Sequence, residues 1–153
     1  MVTFFKRFTS LRIIKNYILF TLLGITSDDA YVFLCVEKTT IKVSKNKNFN
    51  GISPTFFAVK GEGKDNGMSI DFDFLSSPEE SRQRRRVPAN NAVIRFKIKD
   101  LKSLGLNVKH KPLSDIPNKE DNFAHGLVVP KEEIIPNRNK LRDISEWVIK
   151  IDN

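Results

Sequence analysis

The stretch "YVFLCVE", residues 31–37, constrains this chain more than any other. It is apolar at both alternating positions and rich in aromatic and branched side chains, which is the pattern of a strand buried on both faces. Several neighbouring segments read as further strands. "TTIKVSK" sets Ile41 and Val43 against Lys42 and Ser44, and the loop "KNKNFNGISP" leads into "TFFAVKG", closed by the turn cluster "GEGKDNG". "MSIDFDFL" alternates most cleanly. Met68, Ile70, Phe72 and Phe74 point inward, while Ser69, Asp71 and Asp73 form the wet side of a half-buried strand. "NAVIRFKIKDL", "LGLNVKHKPL" and "FAHGLVVP" complete the series. Short turns separate most of these strands, so antiparallel pairing is expected rather than a βαβ wind.

Helical signals stand at three places. Leu11, Ile14, Ile18 and Leu22 recur at helical spacing with Ile13, Tyr17 and Phe20 beside them, and Gly24 supplies a stop. In "SSPEESRQRRRVP", Ser77 and Glu80 make a capping box, Pro78 fits the first turn, and Pro88 forces termination. Near the C-terminus, Leu141, Ile144, Val148 and Ile151, with Trp147 alongside and Asn137 as cap, predict an amphipathic helix. The expected fold class is α+β. It is a single domain with a curved, mostly antiparallel sheet, N-terminal and C-terminal amphipathic helices and a short Arg-rich helix. Its 153 residues suit one domain with a real core. Residues 1–27 read as a basic amphipathic leader helix and 28–153 as the α+β domain.

The net charge of +8 favours anionic partners such as nucleic acid or an acidic surface. Half of it comes from Lys6, Arg7, Arg12 and Lys15 in a leader that has no acid. Two readings of that leader compete, a packed or partner-binding helix and a targeting segment. Its apolar run falls well short of the roughly 20 residues needed to span a bilayer. Cys35 stands alone in an apolar run, which excludes an internal disulfide framework and marks it as a small buried hydrophobe.

No phosphate loop, dinucleotide fingerprint, cysteine-based zinc spacing or nucleophile elbow is present. His110 and His125 are the remaining candidates for chemistry. Alternation groups Leu106, Val108 and His110 on one face, and His125, Leu127 and Val129 on another. If "SDIPNKEDN" connects a pair of neighbouring strands, the imidazoles approach each other and act as acid and base on a phosphodiester. Lys109, Lys111 or an arginine would then neutralise developing charge. The alternative is two packed histidines with satisfied nitrogens. The two-histidine phosphodiesterase pattern needs Ser or Thr two residues after each histidine, where this chain has Pro112 and Leu127. A metal site built from the histidines with Asp71 or Asp73 lacks ligand spacing, and no cofactor is expected. Arg82, Arg84, Arg85 and Arg86 suit a helix C-terminus. On one helix Arg82 and Arg86 would also repel, so the cluster gains most from an anion.

The blocks "ISPTFF", "NGMSIDFDFLSSPEE", "GLNVKHKPL" and "DNFAHGLV" resemble those of a family of small prokaryotic hypothetical proteins. That family carries SxxAF, GLSVD, VxHxPL and DNPxHAxI-like segments. The likeness spans residues 30–129 and falls on Ser53, Phe56, Gly67, Ser69, Asp71, His110, Pro112, Leu113, Asp121, Asn122 and His125. It departs at Phe123 and Gly126. The resemblance implies an intracellular, cytoplasmic protein and selects residues without supplying a reaction. Together these readings favour a binding module for nucleic acid or another phosphate ligand, or for a protein partner through the N-terminal helix. Arg82, Arg84, Arg85, Arg86 and Asn122 are its binding residues. The alternative is a small enzyme on RNA or a nucleotide, with a toxin or defence role. His125 and His110 would be its acid–base pair, and Ser53, Ser69 and Asp71 would line the pocket.

Overall fold

The computed structural model describes residues 10–41, 51–57, 67–131 and 137–151. Its helices are α1 (Leu11–Leu23), α2 (Pro78–Gln83), α3 (Ile98–Ser103) and α4 (Arg138–Asp143). Its strands are β1 (Tyr31–Glu37), β2 (Met68–Phe72), β3 (Asn91–Lys97), β4 (Leu106–His110), β5 (His125–Pro130) and β6 (Glu146–Ile149). The six strands form one antiparallel sheet in the order β4-β5-β2-β1-β3-β6, so the architecture is α+β. β1, apolar at both parities, is an inner strand buried from Val32 to Val36.

Parity along each strand divides the sheet into two faces. The front carries Val32, Leu34, Ile70, Phe72, Ile94 and Phe96 into the main core. α1 covers it through Ile13, Tyr17 and Phe20, α3 through Ile98 and Leu101, and α4 through Leu141. α1 and the sheet therefore share one core. The back face has a smaller apolar patch of Phe33, Cys35 and Val93, and α2 lies against the sheet over β1 and β3. A register shift between Val93 and Ile94 lets Trp147 of β6 join the front core while Ile149 packs on the back.

Local chemistry explains the helix ends. Ser77 and Glu80 form the expected capping box, with Pro78 in the first turn. Asn137 caps α4 through the amides of Asn139 and Lys140. Gly24 ends α1 in the left-handed region at φ 66°, where a Cβ would be strained.

Several expectations are corrected. Residues Pro54–Phe57 form a 3-10 turn rather than the start of a strand, and Lys38–Thr40 form another before Ile41 bridges to Ile52. The remainder of the "TTIKVSK" and "TFFAVKG" strands, most of the "GEGKDNG" turn, and Lys6 and Arg7 lie outside the described residues. The strand expected through Leu101 stops at Lys97 and gives way to α3. Ile98 satisfies both periods, two residues after Phe96 and three before Leu101. The expected C-terminal helix stops at Asp143. Trp147 and Ile149 then stand in β6 on the open edge of β3, Trp147 toward the front core and Ile149 toward the back patch. α2 ends at Gln83, so Arg84, Arg85 and Arg86 follow the helix and Arg82 and Arg86 do not share a helical face. On α1 the residues facing the core are Ile13, Tyr17 and Phe20, while Leu11, Ile18 and Leu22 face outward.

Candidate functional site

The back face brings together most of the polar residues selected from the sequence. Registers place His125 opposite Asp71, Asp71 opposite Phe33, Phe33 opposite Arg95, and Arg95 opposite Glu146. Cross-strand partners share a face, so these five side chains form one row. Ser69, two residues from Asp71, shares that face and is exposed. Asp71, expected on the wet side, is instead buried. Its carboxylate accepts from Arg84 Nη1 at 3.2 Å and from Asn122 Nδ2 at 2.8 Å. Arg84 also donates to Ser76 Oγ at 2.8 Å, and Ser76 Oγ lies 3.2 Å from Ser81 Oγ. The turn after α2 thus folds back to cover the acid.

His110 does not join this row. β4 and β5 do pair, but His110 stands opposite Gly126, one residue from His125, so the two imidazoles lie on opposite faces. His110 is on the front, its ring edge-on to Phe20 at 4.7 Å and its Nε2 2.7 Å from the Phe123 carbonyl. A one-residue offset in register flips a side chain across the sheet. The acid–base pair and the two-histidine metal set therefore have no common hollow. His125 is held by its own contact, Nδ1 at 2.5 Å from the Lys111 carbonyl. Because a carbonyl only accepts, Nδ1 carries a proton, and in the neutral imidazole Nε2 is the acceptor nitrogen.

Gly126 is required by close approach. A Cβ there would stand 2.7 Å from the Lys109 carbonyl oxygen, 2.7 Å from Phe72 Cε2 and 2.8 Å from Ile70 Cδ1.

Beside this row lies a hollow of about 550 Å3. Cys35 forms part of its floor, Glu37, Thr40 and Asn91 supply polar groups, and Phe56 and Val87 supply apolar wall. Arg85 and Arg86 complete the lining. Among the described residues neither makes an ion pair, whereas Arg12, Arg84, Arg95 and Arg142 are each matched to a carboxylate. Arg82 is engaged by the backbone, with Nε 2.8 Å from the Pro88 carbonyl. Burial pushes the Cys35 thiol above its ordinary value of 9.0 despite the opposing charge of Arg85. The thiol donates to the Ser81 carbonyl, Sγ to O 3.3 Å, and clasps α2 to β1.

Ser53 sits apart from the Asp71–His125 row. Its amide bonds the Thr40 carbonyl and its hydroxyl lies 2.8 Å from that of Thr55. Asp73, also expected on the wet side, is buried and ion-paired to Arg12 of α1 at 2.7 Å. Burial raises its pKa above the ordinary value of 3.8, and Arg12 opposes that rise. Sequence reasoning missed Thr40, Glu37, Val87 and Asn91 as lining residues, because four separate segments assemble the hollow and no local pattern joins them. The serines flanking the capping box, Ser76 and Ser81, were the one local hint that α2 is tied down by polar contacts. Among the described residues no cluster of three or more His, Cys, Asp or Glu is placed to hold a metal ion. No described helix is long and apolar enough to cross a membrane. Compared with protein-family models, curated proteins and solved structures, the chain shows no match.

Proposed function

We infer that this protein is a binding module for a phosphate-bearing ligand, with single-stranded nucleic acid as the first candidate. The observation that carries this reading is the pair Arg85 and Arg86, which line the back-face hollow and have no carboxylate partner among the described residues. Guanidinium groups without a carboxylate partner bind phosphate through charge-assisted, often bidentate hydrogen bonds. The rest of the lining suits a nucleotide. Phe56 and Val87 offer apolar surface to a base, and Asn91, Thr40 and Glu37 offer hydrogen-bonding groups at its edge. The volume falls in the range of small-ligand pockets, about 300–1,000 Å3. Arg84 supports the site from beneath by neutralising Asp71.

Fluorescence anisotropy with a labelled single-stranded RNA, titrated at several salt concentrations, tests this reading. The wild type should lose affinity steeply as salt rises. The double variant Arg85→Ala with Arg86→Ala should flatten the slope of log K against log salt by about 0.7 for each phosphate left without its arginine. An unchanged slope and affinity would rule the hollow out.

A second reading is a small enzyme acting on a phosphate-containing substrate. It is favoured by one observation: His125 has its tautomer set by the Lys111 carbonyl and shares a face with Asp71 and Ser69. In this reading His125 Nε2 is the base. If RNA or nucleotide turnover is found and survives both His125→Ala and Ser69→Ala, this reading falls, while the binding reading stands.

A further inference from the structure

α1 is apolar on both sides. Its inner side packs on the front core through Ile13, Tyr17 and Phe20. Its outer side carries Leu11, Ile18 and Leu22, which are 86%, 47% and 76% exposed and follow a single helical line. Leu23 and Ile25 extend the exposed apolar surface around the Gly24 stop. Exposed aliphatic side chains in one line make an apolar strip that no other described residue covers. Phe123, 68% exposed, stands in the loop before β5. Its carbonyl contacts His110, whose ring meets Phe20 of α1 edge-on.

Charge and area choose the occupant. Residues 1–27 hold four basic and no acidic side chains; Lys6 and Arg7 lie outside the described residues, Arg12 is held by Asp73, and Lys15 stands on the exposed line itself, with Asp29 at 3.2 Å. A second copy would bring one chain of net charge +8 against another. A stable protein interface also takes about 20–30 residues from each side, far more than this strip of aliphatic side chains. A bilayer surface needs neither shape complementarity nor large area. An amphipathic helix lies in the headgroup plane with its aliphatic side chains inserted and its lysines toward anionic lipid. α1 has 13 residues and is about 20 Å long, so it lies along a bilayer rather than across one.

We propose that the outer face of α1 docks this protein peripherally on an anionic lipid bilayer. The site is separate from the back-face hollow and independent of the nucleic-acid reading. The test is flotation of the full chain with vesicles of phosphatidylcholine alone, and with vesicles in which about one lipid in three is phosphatidylglycerol. The chain should float with the anionic vesicles and not with the neutral ones. Leu22→Glu and Leu11→Glu should each lower the partition coefficient about ten-fold or more, with an unchanged circular dichroism spectrum and melting temperature. RNA affinity should be untouched in both. No flotation with anionic vesicles overturns the proposal. So does flotation indifferent to both leucine variants, which would place the lipid contact on basic groups elsewhere. A concentration-dependent dimer that Leu22→Glu dissolves, with no flotation, would overturn it in favour of a second copy.

Discussion

The two faces of the sheet are built on different terms. The front is a continuous apolar layer roofed by α1, α3 and α4, with Phe57, Phe72 and Phe96 fully buried in it. The back has a three-residue buried apolar patch, a row of charged and polar side chains, and, among the described residues, the six-residue helix α2 over it. The front therefore stabilises through burial, at about 25 cal/mol for each Å2 of apolar surface removed from water. The back keeps Asp71 buried only by surrounding it with Arg84 and Asn122, since an unpaired buried charge costs several kcal/mol. The face that buries the smaller apolar cluster is the one that carries the hollow.

Substitutions can break or sharpen this contrast. The largest effect is expected on the front. Phe96→Ala, at a position 0% exposed and packed against Phe57, should cost about 3–5 kcal/mol in urea unfolding. Phe33→Ala on the back should cost at least ~1 kcal/mol less; equal losses would erase the distinction between the faces. Next comes Gly126→Ala. Its Cβ meets a backbone oxygen and two core side chains, so a loss of about 1–3 kcal/mol is expected. A neutral result would mean that β4 and β5 separate freely. Arg84→Ala should cost about 1–2 kcal/mol, a value discounted because the guanidinium is 28% exposed. It should also weaken RNA binding if the turn after α2 positions Arg85.

The smallest effect is the pH dependence of Asp73. Burial lifts its folded pKa above the unfolded value, so the native state holds that proton more tightly. Its contribution to stability is greatest at pH below about 3.8 and declines as pH rises through the folded pKa. The stability of wild type minus that of Asp73→Asn, from urea unfolding at about pH 4 to 7, should therefore fall with increasing pH. A difference that grows with pH would show that the Arg12 ion pair outweighs the cost of burial.

Much of the fold is legible locally. The unbroken apolar run of β1, the alternation of β2, β4 and β5, the Ser77–Glu80 box, the Asn137 cap and the Gly24 stop all have their expected counterparts. The misread elements are those whose side chains satisfy two periods at once. Ile98 fits strand and helix alike, and Trp147 fits both the helical series from Leu141 and the edge strand it forms. On α1 the helical period was visible but its inward side was not. Both sides are apolar, and only packing against Phe72 and Phe74 distinguishes them.

By itself, the sequence determined the strands β1, β2, β4 and β5, the helix over Leu11–Leu23, the capped starts of α2 and α4, and which residues of each strand share a face. These properties are written in periodicity and capping within a few neighbouring residues. Only the tertiary structure decided how the strands align with one another. Alternation specifies parity within a strand and carries no information about register between strands. That register sends His110 to the front and His125 to the back. It also lets Cys35, Phe56, Arg85, Arg86 and Asn91, distant in the chain, line one hollow.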